Sequence, residues 1–475
     1  MPNPVVQPTN KSANAQHASG IIIIGAGMAG SRFAIELARA QQISLPVHSD
    51  ALALPITLIS KESQVGYNRI MLSPVLAGET SFEDTYLYDQ ANYEQLGITV
   101  ISGVSVDMVD TVNHSITLSN GQTLSFAKLV IATGSTARVI LLPNYQAKGV
   151  HVFRNLTDVT ALSQYARAGK TGIVIGGGVL GLEAACALAA QGANMSVVHT
   201  SAYVLNNQLD LPAATLLQAE LSRRGVGLEV LARTESIEVN DKGAVCGLSL
   251  QDGRTLDADF IVMAVGIIPN TQLAKDCGLD VDRGIIVDDY MHTSCPDVYA
   301  IGECVEHNGE LFGMVSPVNQ QVDTLVSVLK DSTVSDDSSV LKDNLSKGNA
   351  SNNAKKKHWQ PFVSTPLSLK LKVSGVGAFS AGQIAFEDHE LESIETLIYR
   401  QTQLNHYHCL YLKDNRLIGA VLYGEINEGR FYSQLISKHT DITPIKETLI
   451  FGEAYCDLGE SESATTQADI KDALC

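Results

Sequence analysis

At 475 residues the chain is long enough for about three domains, and 45% hydrophobic with 18% charged residues is the composition of a globular protein able to bury real cores. Its formal net charge of −18 repels phosphate backbones and argues against nucleic acid as a partner, leaving solubility or a partner with a basic docking face as its uses. The first twenty residues lack the apolar core of a secretory signal and no later run approaches the ~20 residues of a membrane span, so a soluble, cytoplasmic protein is expected, with no membrane contact and a disordered tail over residues 1–19.

The first element is GIIIIGAGMAG, Gly20 to Gly30. Four consecutive isoleucines make a strand apolar on both faces, as in the middle of a parallel sheet, and the chain then turns on Gly25, Gly27 and Gly30. The first glycine permits the tight turn, the second lets backbone N–H groups approach a pyrophosphate, and the third lets a helix over Ser31 to Ala40 sit against the strand. The helix N-terminus adds partial positive charge for the anion. A long connection, QQISLPVHSDALALP, delays the second strand, PITLIS, which ends at Lys61 and Glu62. An acidic residue at that strand end bonds ribose hydroxyls, ordinarily about 20 residues past the glycines. Glu62 stands 32 past Gly30, the insert accounting for the excess, and is the candidate. In VGYNRIMLSPVLAGE, Val65 to Glu79, Tyr67 offers an aromatic edge and Arg69 a guanidinium, the group that forks onto phosphate oxygens. Asn120-Gly121 then marks a hairpin ahead of the strand KLVIATG, Lys128 to Gly134.

The pattern then repeats. Gly172 to Glu183 reads GIVIGGGVLGLE: a β-branched strand, turning glycines at Gly176, Gly178 and Gly181, and a helical run closed by Gly192 that puts Glu183 in its first turn. The next strand, NMSVVHTS, ends at His199-Thr200 with no carboxylate, and no arginine follows until Arg223, so the strand end selects neither a free ribose 2′-hydroxyl nor a 2′-phosphate. Asp252-Gly253 precedes DFIVMAVG, which ends at Gly266. One glycine turn is weak. Two, each with its own hairpin and terminal glycine, make the chain an internal duplication of one dinucleotide-binding architecture. Beyond PDVYAIGE a helix opens at Val315-Ser316-Pro317. Residues 331–357 are too polar to fold and read as a flexible linker. A small domain follows, with a hairpin turning at Asp414-Asn415.

From YNR and LSPVLAGE onward the sequence resembles flavoprotein reductases of the pyridine nucleotide-disulfide oxidoreductase superfamily, most closely the flavin module of the NAD(P)H nitrite reductase large subunit. GSTAR, VVH with LNNQLD, AVGIIPNT, PDVYAIGECVEHNG, SLKLKVSGVGAFSAG and KDNRLIGAVLYGE extend the resemblance over nearly the whole chain apart from the tails and one insert. It implies an α/β protein of two Rossmann-like domains, the second inserted in the first, plus a small C-terminal α+β domain. The expected boundaries are 20–145 with 275–330 for FAD, 146–274 for NAD(P), 358–455 for the α+β domain, and a tail over 456–475. FAD is implied at the first site, with Gly25, Gly27, Met28, Ala29, Gly30, Glu62 and Arg69 on the ADP half and Val106 near the adenine through its main chain. Thr133 and Gly134 would close that site, Gly302 and Glu303 would reach the ribityl and pyrophosphate region, and the helix at Ser316 and Pro317 would present its N-terminus to the flavin ring. Many relatives have aspartate where Glu303 stands. NAD(P)H is implied at the second site, with Gly176, Gly178, Val179, Leu180, Gly181, His199 and Gly266, and with Glu183 beside the nicotinamide as the catalytic candidate.

Departures from the pattern narrow the chemistry. The cysteines fall at 186, 246, 277, 295, 304, 409, 456 and 475, without a CxxC pair, which suits reduced thiols and neither zinc nor an iron–sulfur cluster, so no metal is expected. Relatives that reduce disulfides or peroxides carry a reactive cysteine in the first glycine domain; none precedes Cys186 here, so electrons on the flavin must leave directly to an acceptor. Ferredoxin and rubredoxin reductases often have a lysine shortly after the YxR segment that pairs with the nicotinamide-side glutamate. Leu72-Ser73-Pro74 stands there instead, which leaves the partner of Glu183 open. Cys456 and Cys475 alone cannot supply the four thiolates of a [2Fe-2S] cluster. The expected function is an NAD(P)H oxidoreductase passing electrons through FAD to a separate protein, a nitrate or nitrite reductase component. The alternatives are a rubredoxin or ferredoxin reductase and, in another class, an FAD-bearing interaction protein. The C-terminal domain serves in the superfamily as a dimer interface or a flavin cover, which leaves a homodimer open.

Overall fold

In a computed structural model of the chain the described residues are 19–44, 53–167, 169–330, 359–364, 368–373 and 376–457. The expected N-terminal tail up to residue 18, most of the connection after the first helix, the 331–357 linker and the C-terminal tail from residue 458 lie outside them. The chain divides into two compact units, one of Met1–Asn68, Tyr86–Ser135 and Pro269–Val363, the other of Arg69–Thr85, Thr136–Ile268 and Ser364–Cys475.

The first unit is built on β1 (Gly20–Ile24), whose four isoleucines are all buried. Each fully buried isoleucine contributes ~1.5–3 kcal/mol relative to exposure, which is why an unbroken apolar run becomes the central strand. After the glycine turn α1 (Met28–Ser44) begins three residues earlier than the sequence suggests and runs four further. β2 (Ile56–Ser60) pairs in parallel with β1, Ile24 opposite Ile59, and β3 (Thr99–Ser102) extends the sheet beyond β2. β4 (Val106–Asp110), β5 (Ser115–Leu118) and the N-terminal half of β6 (Thr123–Ile131) form an antiparallel meander. Its last turn has Gly121 at φ 84°, the left-handed conformation that asks for glycine. The C-terminal half of β6 returns to the parallel sheet, between β1 and the strand Val298–Ala300. The helix Val315–Leu329 packs on α1, where Arg32 donates to the Asn319 carbonyl at 3.0 Å and to Asp323 at 2.7 Å.

In the second unit α2 (Leu72–Ala77) precedes β7 (Val150–Val152), α3 (Leu156–Arg167), β8 (Thr171–Ile175), α4 (Val179–Ala190), β9 (Asn194–Val198), α5 (Leu211–Arg223), β10 (Val226–Glu229) and β11 (Phe260–Met263). The sheet order is β10-β9-β8-β11-β7, every pair parallel. A three-stranded antiparallel ribbon, Thr234–Val239, Val245–Leu250 and Thr255–Asp257, leads into β11 as the meander leads into β6. The two folds therefore match strand for strand, except that the outer strand β7 comes before its glycine motif in the chain. The sequence groups LSPVLAGE with the first nucleotide fold. Its helix α2, however, buries Leu72 and Leu76 and packs on α3 and α4, which places Arg69–Thr85 in the second unit.

The rest of the second unit is an antiparallel sheet of β12 (Ser368–Val373), β13 (Val376–Gly382), β14 (Glu395–Gln401), β15 (His406–Lys413) and β16 (Arg416–Tyr423), ordered β12-β13-β16-β15-β14. Asp414 and Asn415 join β15 to β16 with φ 49° and 56°, two successive left-handed residues as a tight hairpin requires. α6 (Gly429–Ser437) lies on this sheet and buries Phe431, Tyr432 and Leu435 against Phe379, Leu410 and Leu422. No helix among the described residues is long and apolar enough to cross a membrane.

Candidate functional site

The glycines of the two turns divide into the same roles. A Cβ on Gly25 would overlap the Ala132 carbonyl oxygen, and one on Gly30 the Gly25 carbonyl oxygen; at Gly27 it would meet nothing within 4 Å. In the second turn Gly176 is closed by the Ala264 carbonyl, Gly181 by the Gly176 carbonyl, and Gly178 again faces nothing within 4 Å. The outer glycines thus let strand and helix touch, while the middle one keeps a space clear. A helix opens directly behind each turn, α1 at Met28 and α4 at Val179. α4 has Gly178 at its N-cap with no capping side chain, the helix Val315–Leu329 likewise has none at Met314, and α1 has no acidic residue in its first turn. Side chains cap α5, where Asp210 accepts from the Ala213 N–H, and α3, where Asn155 and Asp158 cap reciprocally; α2 and α6 are uncapped as well, so the cleared space beside the helix end is what marks the two turns. Cleared space in front of bare helix N-termini fits the pyrophosphates of FAD and of NAD(P)H.

Around the first turn, Glu62 accepts a 2.6 Å hydrogen bond from the Tyr67 hydroxyl, which fixes its carboxylate at the end of β2. Val106 begins β4 opposite Leu118, and the Val104 N–H donates to the Ser60 carbonyl, so this segment runs beside that same strand end. Thr133 and Gly134 are locked by Asn270, which sequence reasoning missed. The Thr133 hydroxyl donates to the Asn270 carbonyl at 2.8 Å, the Asn270 amide donates to the Thr133 carbonyl at 2.8 Å, and the Asn270 N–H donates to the Gly134 carbonyl. Gly302, at φ 91°, comes close above Ala29, where a Cβ would stand 3.3 Å from the Ala29 Cβ; its N–H donates to Gln321 at 2.7 Å. Glu303 accepts from the Ser135 hydroxyl at 2.8 Å. At the start of the helix Val315–Leu329, Ser316 is exposed and Pro317 buried. Arg69 lies in the second unit, where it donates to the Arg154 carbonyl at 2.9 Å.

Glu183 does not stand in the first turn of α4. The helix begins at Val179, so Val179, Leu180 and Gly181 are already helical and Glu183 falls in the second turn, beyond the strongest reach of the helix dipole. Plain dipole complementarity therefore does not explain it. Its partner is Ser73 on α2, whose hydroxyl donates to Glu183 Oε2 at 2.8 Å. Burial pushes the Glu183 carboxyl above the ordinary carboxylate range, and the Ser73 hydrogen bond partly offsets this. The Gln191 amide donates to the Ala77 carbonyl at the other end of α2, so the short helix is tied to the α4 segment at both ends. His199 closes β9, half-buried, and Gly266, at φ 107°, faces nothing within 4 Å, as Gly134 does in the first unit.

Cys304 follows Glu303 directly, yet it is fully buried and its thiol is pushed up by that burial, the state of an inert packing thiol. Among the described residues no cluster of three or more His, Cys, Asp or Glu could hold a metal ion.

Residues 19–323 match the pyridine nucleotide-disulphide oxidoreductase family, and residues 368–440 match the rubredoxin NAD+ reductase C-terminal domain. Over 449 residues the chain is 35% identical to the NAD(P)H nitrite reductase of Bacillus subtilis (strain 168), covering 94% of this chain and 51% of that protein. Over 441 residues it is 34% identical to the assimilatory nitrate reductase electron transfer subunit of the same organism, covering 93% and 52%. The chain spans about half the length of these curated relatives. Among solved structures a ferredoxin reductase from Rhodopseudomonas palustris shares the fold, with a TM-score of 0.74 and 23% identity over 90% of this chain and 96% of that one. Because the first match takes in both glycine turns and everything between them, this chain belongs to the pyridine nucleotide-disulphide oxidoreductase family, a family of enzymes that use FAD and NAD(P)H.

Proposed function

We propose that the protein is an FAD-dependent NAD(P)H oxidoreductase that passes electrons to a separate redox protein of nitrate or nitrite assimilation. The observation that carries this reading is the duplicated turn, in which Gly27 and Gly178 each keep a space clear before an uncapped or acid-free helix end. FAD, when bound, supplies the ability to accept an electron pair as hydride and release electrons singly. The chain's part is positioning: Tyr67 orients Glu62 and Asn270 holds Thr133 and Gly134 on the first side, while Ser73 holds the Glu183 carboxylate on the second. The likeness to an assimilatory nitrate reductase electron transfer subunit supports the pathway. Cys246, Cys277, Cys295, Cys304, Cys409 and Cys456 are all unbridged thiols, which suits a cytoplasmic site of action.

A second reading, a rubredoxin or ferredoxin reductase, is favoured by the match of residues 368–440 to a rubredoxin reductase domain. The two separate by assay. Purified protein, yellow with flavin, is reduced anaerobically with NADH or NADPH and offered a nitrate or nitrite reductase component or rubredoxin. Faster transfer to the nitrogen-cycle component is expected; turnover with rubredoxin alone would overturn the assignment, and a colourless protein that cannot be reconstituted with FAD would overturn both. Gly178→Val should keep its flavin and raise the KM for NAD(P)H at least tenfold. Unaltered kinetics would move the second site elsewhere.

A further inference from the structure

On the reading that the turn Gly176 to Gly181 holds NAD(P)H, the end of β9 decides between the two coenzymes, because the 2′ substituent of the adenosine ribose lies there in this architecture. A carboxylate selects the free hydroxyl and an arginine the phosphate. This chain has His199 there, and both of its ring nitrogens are occupied. The Gly177 N–H donates to Nδ1 at 3.2 Å, and Nε2 lies 3.1 Å from Asn206 Oδ1. A backbone N–H can only donate, so Nδ1 is the bare nitrogen and the proton sits on Nε2, given to Asn206. The main chain is held as firmly: the His199 N–H donates to the Glu229 carbonyl, its carbonyl accepts from the Ala232 N–H, and the Leu205 N–H closes onto the Gly177 carbonyl. A Cβ on Gly177 would stand 2.8 Å from His199 Cγ, so glycine is what lets the ring pack on the turn.

The neighbouring charges are engaged with one another. Arg254 pairs with Glu229 and Asp252, and Arg223 and Arg224 pair with Glu220. Arg233 follows Ala232 on the surface and has no ion pair among the described residues. A single exposed guanidinium of this kind, screened by water and salt, discriminates weakly.

We infer that His199 makes the second site indifferent to the ribose 2′ substituent, so that the protein uses NADH and NADPH with comparable efficiency. The flavin-loaded protein is titrated calorimetrically with NAD+ and with NADP+, and kcat/KM is measured with both reduced forms. Both ratios are expected to lie within tenfold of unity. His199→Glu should weaken NADP+ relative to NAD+ by more than tenfold, His199→Arg should shift the ratio as far the other way, and Arg233→Ala should leave it unchanged. Retained flavin absorbance in each variant shows that the fold survived. A wild-type preference beyond tenfold, or glutamate and arginine variants that bind both dinucleotides with an unaltered ratio, would overturn the inference while leaving the site in place. Binding of neither dinucleotide at millimolar concentration would instead remove the site on which it rests.

Discussion

Ser73 and Glu183 show what one hydroxyl does for one carboxylate. Burial raises the Glu183 carboxyl and the Ser73 hydrogen bond draws it back, so Ser73→Ala should raise it further. The ionised form, which can stabilise positive charge developing on a neighbouring ring, then appears only at higher pH. The acid limb of the pH profile for anaerobic flavin reduction by NAD(P)H should move upward, with a stability cost of about 1 kcal/mol for the lost hydrogen bond. An unmoved limb would detach Glu183 from that step. Stability carries its own sign. A carboxyl raised on folding imposes no cost below the ordinary carboxylate range and its full cost above its folded-state value, so stability falls as pH rises through that interval. Glu183→Gln should therefore raise Tm at pH 8 and not at pH 4, while lowering the rate of flavin reduction roughly tenfold, one unit of transition-state discrimination.

The strand–turn–helix element separates glycines that build from glycines that make room. Gly30→Val would drive a side chain into the Gly25 carbonyl and the Ala132 methyl, and should leave little folded protein. At Gly27 an added Cβ meets no protein atom within 4 Å, so Gly27→Val should yield a folded protein without flavin, as read by circular dichroism and absorbance together; normal flavin content would refute the first site. This element was legible in the sequence because its causes are local: β-branched runs, glycine spacing and Asn-Gly or Asp-Gly hairpins act on the backbone where they stand. What escaped reading was tertiary. Ser73 reaches Glu183 from 110 residues away and Asn270 reaches Thr133 from 137, and no spacing rule carries that information. The turn assignment of Glu183 failed for a subtler reason: Gly181, the last glycine of the motif, is itself helical, so the helix starts earlier than the run of strong helix formers suggests.

At the scale of the whole chain, one carboxylate ties the C-terminal sheet to the second nucleotide fold. Asp210 Oδ1 accepts from the Ala213 N–H as the N-cap of α5, while Oδ2 accepts from the Tyr407 and Tyr411 hydroxyls on β15 at 2.5 and 3.1 Å. Both phenols are pushed upward, first by burial and further by Asp210, so they stay protonated in the folded protein at pH values where exposed tyrosines ionise. Stability should then fall as pH climbs above about 10, because only the unfolded chain releases those protons readily. Substitutions divide the two duties of Asp210. Asp210→Ala removes the cap and leaves two buried hydroxyls without their acceptor, at about 1 kcal/mol for the cap and ~1–3 kcal/mol for each orphaned group. Asp210→Ser restores a capping oxygen but is too short to serve both phenols, so it should recover only the cap. In hydrogen exchange, Asp210→Ala should deprotect both α5 and β14–β16, whereas Asp210→Ser should deprotect the sheet alone and make the loss of stability above pH 10 shallower. Equal protection of the sheet in Asp210→Ser and the wild type would mean that apolar packing docks it and that the two phenols only follow.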